Sequence, residues 1–418
     1  MVKLLMIADD FTGALDTGIQ FAKEGIGTQV FTTQDLENIN IKSDTEVIVI
    51  DAETRPLSRE KAYKIVFDIS LWAVKNHINI IFKKTDSALR GNIGAELQAV
   101  IDATKETLFF LPQHPNINRI TKDGICYISG ELLENSVFGK DPFEPVNKSY
   151  IPDIIKEQSN IDTVCLKTGD NINDYIGKES LIILDAQTVN DLSNNIDKLI
   201  NNERLKCIAG CAGLAEQLVK KIKFVSKEYT TYKKTKDIFV ACGSLNDITK
   251  KQIEYAEKNC GFIRKNLSLE QKLIPEYYKT DDGEKFLEDI CKFFEYNNKV
   301  IVDTFDLENS NISKEDFINK HNITHNDIRK LIPKCHGIII KAVLEVRDSI
   351  TVLMTGGDTL MGFMELIGCI QIEPVCEIEQ GTVLSLIEWN GRKYQVISKS
   401  GGFGTEDILE KLKNKLLI

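Results

Sequence analysis

The stretch TVLMTGGDTLMGFMELIG, residues 351–368, decides how the chain is read. An apolar strand runs into Gly356-Gly357-Asp358-Thr359, and a helical pattern follows. Glycines let a backbone approach an anion closely. The first N–H groups of a helix have no partner within it, and the helix dipole adds partial positive charge there. Thr359 offers a hydroxyl donor. The plainer alternative is an ordinary Gly-Gly turn with Asp358 as the helix cap. Two further junctions weigh against it. Residues 237–242, DIFVAC, form a strand that ends at Gly243-Ser244 before a helix over 248–258, so Ser244 is placed like Thr359. TVLSLIEW and KYQVIS flank Asn390-Gly391 as a hairpin and finish at Lys399-Ser400-Gly401-Gly402-Phe403-Gly404. Three glycine-bearing strand ends in one C-terminal domain suit a nucleotide. No G-x-x-x-x-G-K-[ST] occurs, and no G-x-G-x-x-G follows a strand, which disfavours a dinucleotide dehydrogenase.

The N-terminal half repeats the strand–polar turn–helix theme. Residues 3–8, KLLMIA, form a strand; Asp9-Asp10-Phe11-Thr12-Gly13-Ala14 follows, then a helix to about Ala22. Such turns sit at the carboxyl ends of strands, where open α/β sheets bind ligands. Adjacent carboxylates at a strand end repel each other, which favours a functional role over simple capping. Strands are expected at 27–31 and 46–50, the second ending in Asp51-Ala52-Glu53-Thr54-Arg55-Pro56. A helix over 59–75 leads to a strand at 78–82. It ends in Lys83-Lys84-Thr85-Asp86-Ser87-Ala88-Leu89-Arg90, a group suited to a carboxylate and hydroxyls. For Lys83, a solvated loop position is an equal alternative. Residues 93–103 and 107–111 continue the helix–strand alternation. Residues 112–150 depart from it: prolines punctuate them, and GICYISGELL reads as a hairpin around Ser129-Gly130, in an excursion that serves as a lid or an oligomer contact. TVCLK, LIILDA and KCIAG are further strands.

At 418 residues, two α/β domains with mainly parallel sheets are expected: 1–228 and 237–418, joined by a Lys/Tyr/Thr-rich linker, with the active site in the cleft between them. A middle section, 262–335, is charged and mainly helical with a strand at 299–303, and a helix over 337–347 precedes the 351–368 stretch. A net charge of −10 argues against nucleic-acid binding. No apolar run is long enough for a membrane span and no secretory signal is apparent, so a cytoplasmic protein is expected. The ten cysteines include no C-x-x-C pair and read as reduced core residues. His321 and His325 share a metal-like spacing, but exposed polar residues are the better reading.

These motifs together resemble the four-carbon acid sugar kinase family, formerly a domain of unknown function. The resemblance runs through IADDFTGALDTG (7–18), DAETR (51–55), KKTDSALRGNIGAEL (83–97), DPFEPV (141–146), CAGLA (211–215), CGSLNDITKKQI (242–253), TGGDT (355–359) and KSGGFG (399–404). Phe11, Asp358, Leu360 and Gln380 depart from the usual residues, and none of these removes a charged site residue. The resemblance implies an N-terminal domain for a threonate-, erythronate- or 3-oxo-tetronate-type acid and a C-terminal domain for ATP, with Mg2+ arriving on the nucleotide. The substrate motifs fall on Asp9, Asp10, Arg55, Lys84, Asp86 and Arg90. The ATP motifs fall on Ser244, Gly356, Gly357, Asp358, Thr359, Gly401 and Gly402. On this reading Arg90, with Arg55 or Lys84, holds the substrate carboxylate. Asp9 or Asp10 binds hydroxyls, and one of them is the catalytic base. A homodimer is a further implication. The alternatives are a sugar-acid or nucleotide-binding sensor without turnover, another kinase of a small hydroxy acid, and a ligase or phosphatase-like enzyme that uses the same anion sites.

Overall fold

The computed structural model describes residues 2–141, 144–172, 180–225, 232–305 and 313–418. Outside these lie Pro142 and Phe143 of the DPFEPV run, the middle of the linker and part of the 262–335 section. The side chain of His325 is also outside the described residues. The chain divides into two compact units, Met1–Tyr229 and Thr230–Ile418. No helix among the described residues is long and apolar enough to cross a membrane.

The first unit follows the order β1 (Leu4–Ala8), α1 (Phe11–Ala22), β2 (Thr28–Phe31), β3 (Val47–Asp51), α2 (Arg59–Lys75), β4 (Ile80–Lys84), α3 (Ile93–Thr104), β5 (Leu108–Leu111), β6 (Arg119–Lys122), β7 (Ile125–Ile128), β8 (Glu131–Leu132), α4 (Ile151–Lys156), β9 (Thr163–Leu166), β10 (Leu181–Leu184), α5 (Val189–Asn201), β11 (Cys207–Gly210) and α6 (Ala212–Leu218). Its main sheet has the strand order β2-β3-β1-β4-β11-β5-β10-β9, parallel throughout. Every residue of β1, β3, β4 and β5 is buried, as expected of a parallel sheet covered by helices on both faces. At about 1.5–3 kcal/mol for each fully buried large aliphatic side chain, these strands carry much of the unit's stability. The strand expected at 78–82 lies two residues further on, because Lys83 and Lys84 are themselves buried strand residues. The expected hairpin is present: β6, β7 and β8 form a small antiparallel sheet, with Ser129 and Gly130 at φ 51° and 87° in the turn.

The second unit follows the order β12 (Asp237–Cys242), α7 (Asp247–Cys260), β13 (Ile263–Asn266), α8 (Leu269–Leu273), α9 (Asp281–Tyr296), β14 (Lys299–Asp303), α10 (Lys314–Lys320), α11 (His325–Val346), β15 (Ile350–Thr355), α12 (Gly357–Leu366), β16 (Gln371–Glu379), β17 (Thr382–Trp389), β18 (Arg392–Lys399) and α13 (Ile408–Leu416). β13-β14-β12-β15-β18 are parallel, and β17 and β16 continue the sheet antiparallel. The helix expected at 337–347 begins twelve residues earlier. Thr324 and Asp327 form a capping box there, and Pro333 is accommodated inside the helix. Gly362 of α12 packs directly on Pro333, and Gly337 on the carbonyl of Gly362, so small residues let the two helices approach closely.

Candidate active site

β1, β3 and β4 lie side by side, and Ala8 pairs in register with both Asp51 and Lys84. The polar residues that follow each strand therefore emerge at one place. Arg55 is the hub. Its Nε lies 2.8 Å from Asp9 Oδ2, its Nη1 2.9 Å from Asp10 Oδ2 and its Nη2 4.0 Å from Asp86 Oδ1. Lys84 Nζ stands 3.8 Å from Asp9 Oδ1. Arg90 grips Asp86 with two prongs, Nε at 2.8 Å and Nη2 at 3.2 Å, and reaches Asp141 with Nη1 at 3.1 Å. All six expected substrate residues, Asp9, Asp10, Arg55, Lys84, Asp86 and Arg90, thus belong to one ion-pair network. Sequence reasoning missed Asp141, although it opens the DPFEPV run.

The network sets the state of each acid. Burial pushes the Asp9 carboxyl up, but Arg55, Lys84 and Lys83 together hold it below its ordinary value. Burial and the charge of Asp9 raise Asp10 despite Arg55. For Lys84, the pull of Asp9 and Asp10 exceeds the cost of burial, and the ammonium is stabilised. Asp9 Oδ1 is buried without a hydrogen-bond partner among the described residues. A carboxylate oxygen in that state wants a donor.

The start of α1 is closed to an anion. Asp10 Oδ1 accepts from Gly13 N at 3.0 Å, and Glu53 Oε1 accepts from Phe11 N at 3.0 Å. Gly13 is required for space: a Cβ there would strike Asp10 Oδ1 and the Lys84 ammonium. Lys83 points the other way. It is fully buried, 2.9 Å from Glu96 Oε2, and donates to the carbonyls of Ile7 and Lys84. It is neither a solvated loop residue nor part of the pocket.

In the second unit the three glycine turns interlock. Gly356, at φ 96°, starts α12 without a side-chain cap, and its N–H donates to Lys399 O at 2.9 Å. The N–H groups of Gly357 and Asp358 find no acceptor among the described residues. Asp358 is exposed and does not cap the helix. The Thr359 hydroxyl donates to Thr355 O at 3.1 Å, and a Cβ on Gly243 would collide with it. Thr359 therefore shapes the turn, with its hydroxyl proton already committed to the backbone. Likewise, a Cβ on Gly401 would strike Ser244 Oγ. Thr249 Oγ1 donates to Gly401 O at 2.7 Å, and Gln252 Nε2 donates to the carbonyls of Phe403, Gly404 and Thr405. Ser244, Gly356, Gly357, Asp358, Thr359, Gly401 and Gly402 thus lie on three adjoining turns, with Asn246 near Gly402. Among the described residues, no group of three or more His, Cys, Asp or Glu is arranged to hold a metal ion.

Lys399 is a second residue that the sequence did not single out. Cys242, Thr355 and Lys399 form one cross-strand row, so Lys399 sits next to two of the turns. Lys399 is 2% exposed, and its ammonium has Ser400 O at 3.1 Å as its acceptor and no carboxylate within ion-pair distance among the described residues. Burial pushes its pKa down to about 8. The folded value lies below the unfolded one, about 10.4, so the unfolded chain holds more protons between the two and stability rises with pH across that window. Lys399→Met should raise the melting temperature of the ligand-free protein at pH 7 by a few degrees, at ~2–4 °C per kcal/mol, and abolish the rise between pH 8 and 10. Melting curves across that range check this, and a lower melting temperature for the variant at pH 7 would refute it.

The comparisons with known proteins agree with this division. Residues 4–218 match the family described as a sugar-binding N-terminal domain, and residues 239–409 match the nucleotide-binding C-terminal domain. The D-threonate kinase of Salmonella typhimurium is 25% identical over 424 residues, 98% of this chain and 97% of that protein. The D-erythronate kinase of Heliobacterium modesticaldum is 28% identical over 206 residues, 46% of this chain and 47% of that protein. Among solved structures, a Salmonella typhimurium protein described as a putative tRNA synthase aligns over 100% of both chains with a TM-score of 0.80 and 18% identity. A Haemophilus influenzae protein aligns over 99% of this chain and 100% of its own with a TM-score of 0.74 and 20% identity. These two structures show the shared fold. With both domain matches in order along its length, the chain belongs to the four-carbon acid sugar kinase family.

Proposed function

We propose that this protein is an ATP-dependent kinase that phosphorylates a hydroxyl of a four-carbon sugar acid of the threonate, erythronate or 3-oxo-tetronate type. The observation that carries the reading is the orphaned Asp9 Oδ1, a buried acceptor beside Asp10 within the domain matched as sugar-binding. The substrate hydroxyls donate to it. Asp10 is the better base. Its side chain is 27% exposed against 2% for Asp9, and burial and Asp9 keep its carboxyl above the ordinary range. A base of higher pKa takes the hydroxyl proton more readily. The amides of Gly357 and Asp358 receive phosphate oxygens, with the Ser244 and Gly401-Gly402 turns alongside. Mg2+ would arrive on ATP, keeping several waters and neutralising phosphate charge; the exposed Asp358 offers it a hard oxygen ligand. Phosphoryl transfer needs positioning and charge neutralisation more than covalent help from the protein.

Coupled ADP release with Mg-ATP against D- and L-threonate, D- and L-erythronate and the 3-oxo-tetronates tests the reading. Turnover with one of them is expected. Acid binding without ADP from any of them would leave a binding protein instead. Asp10→Asn keeps the helix cap, since Asn caps as well as Asp. It should lower kcat about 100- to 10,000-fold with little change in melting temperature. Unchanged kcat would remove Asp10 as the base.

A further inference from the structure

We propose that Arg119 is the residue that recognises the carboxylate of the substrate, and that the small β6-β7-β8 sheet exists to present it. This inference rests on the sugar-acid reading above. In the site as built from the sequence motifs, both arginines are already held by carboxylates. Arg55 is committed to Asp9, Asp10 and Asp86. Arg90 is committed to Asp86 and Asp141. Lys84 serves Asp9. Glu144 also feels Arg55, Arg90, Asp141 and Asp86, so it belongs to the same surroundings. Carboxylates outnumber cations there. An anionic substrate entering that field meets repulsion unless another positive group is present.

Arg119 supplies it. It is the first residue of β6 and is half-buried. Its Nη1 donates to Ser87 Oγ, on the turn between Asp86 and Arg90. Its guanidinium lies over the Phe138 ring, 5.0 Å from the centroid, and the Arg90 guanidinium lies 5.1 Å from the same centroid. The buried Cys211 thiol feels the charges of Lys84, Arg119 and Asp86, which places Arg119 at the same centre. Arg119 has no carboxylate within ion-pair distance among the described residues, in contrast with Arg55 and Arg90. Stacking on Phe138 and the bond to Ser87 fix the plane of the guanidinium, and its remaining N–H groups can meet a carboxylate as a fork. Pre-ordering of this kind lowers the entropy lost on binding.

The test uses the full chain as wild type, Arg119→Met and Arg119→Lys. ADP formation is measured with the four-carbon acids and with the matching uncharged tetritols, threitol and erythritol. Arg119→Met should raise KM for the acid about 100-fold or more. It should leave KM for ATP and any turnover of the tetritols unchanged, and Arg119→Lys should recover part of the loss. An unchanged KM for the acid, or equal losses on acid and tetritol, would overturn the assignment. Thermal shift by the free acids without ATP separates this from the kinase reading. If no acid is phosphorylated, kinase activity is refuted. The assignment of Arg119 then stands if acid stabilises wild type and not Arg119→Met, and falls if both respond alike or neither responds.

Discussion

Replacing Lys83 with Met should cost the protein about 3–5 kcal/mol, the range for removing one partner of a buried ion pair. Lys83 and Glu96 are both fully buried and 2.9 Å apart. Lys83 also donates to Ile7 O at 3.2 Å and Lys84 O at 2.6 Å, so its ammonium ties β1 and β4 to α3. Its loss leaves the Glu96 carboxylate without its counter-charge in the core. Burial already raises the Glu96 pKa even with Lys83 present. A raised folded-state value means that folded protein holds the proton more tightly than unfolded chain. The defect should therefore be smallest below the ordinary glutamate range and grow as pH rises through the folded value. At pH 7 a melting temperature about 6–20 °C lower is expected, at ~2–4 °C per kcal/mol. Lys83→Met with Glu96→Gln removes both charges and should recover a good part of it. Melting curves of the two variants at pH 5 and pH 8 check this. A single variant within 2 °C of wild type at pH 8 would show that the pair contributes no net stability.

Lys83 also shows where sequence reading stops. In KKTDSALR, Lys83 and Lys84 look equivalent. On a strand, neighbouring side chains face opposite ways, so Lys84 turns to Asp9 and Lys83 to Glu96. Nothing in IGAELQAV marks Glu96 as its partner. The strand–turn–helix junctions were legible because apolar runs end abruptly in charge or glycine, as at Asp9 and Gly356. The α/β class and the polar strand ends followed from that pattern. The start of α11 was hidden by Pro333, which reads as a breaker but fits between α11 and α12. β13, IRKN, is too polar to stand out, and β16 contains Pro374 and two irregular pairings. Arg119 lay outside the repeating pattern altogether, on a side sheet whose relation to the Ser87 turn is purely tertiary. The hydroxyl of Thr359 looked free because sequence cannot show that it bonds back to Thr355 O.

Arg55→Met should lower kcat/KM about 1,000-fold while leaving the chain folded. Arg55 sits among Asp9, Asp10 and Asp86, and its Nε and Nη1 each hold one of the two adjacent carboxylates. Two effects combine. Without the guanidinium, Asp9 and Asp10 repel each other and move apart, and misplacement of reacting groups by about 1 Å costs ~100-fold. The two carboxylates then also share a proton, because like charges this close cannot both ionise cheaply. Burial already favours their neutral forms, and Arg55 is the strongest opposing charge on each. The apparent pKa of the pair should rise, and the acidic limb of the pH–rate profile should move to higher pH with it. That shift distinguishes loss of the hub from simple loss of a substrate contact, which would raise KM and leave the limb in place. Arg55→Lys restores one charge without the fork, so it should return most of the limb and little of the rate. A wild-type pH profile in Arg55→Met would mean that Lys84 alone keeps Asp9 and Asp10 ionised, and the hub role would fall.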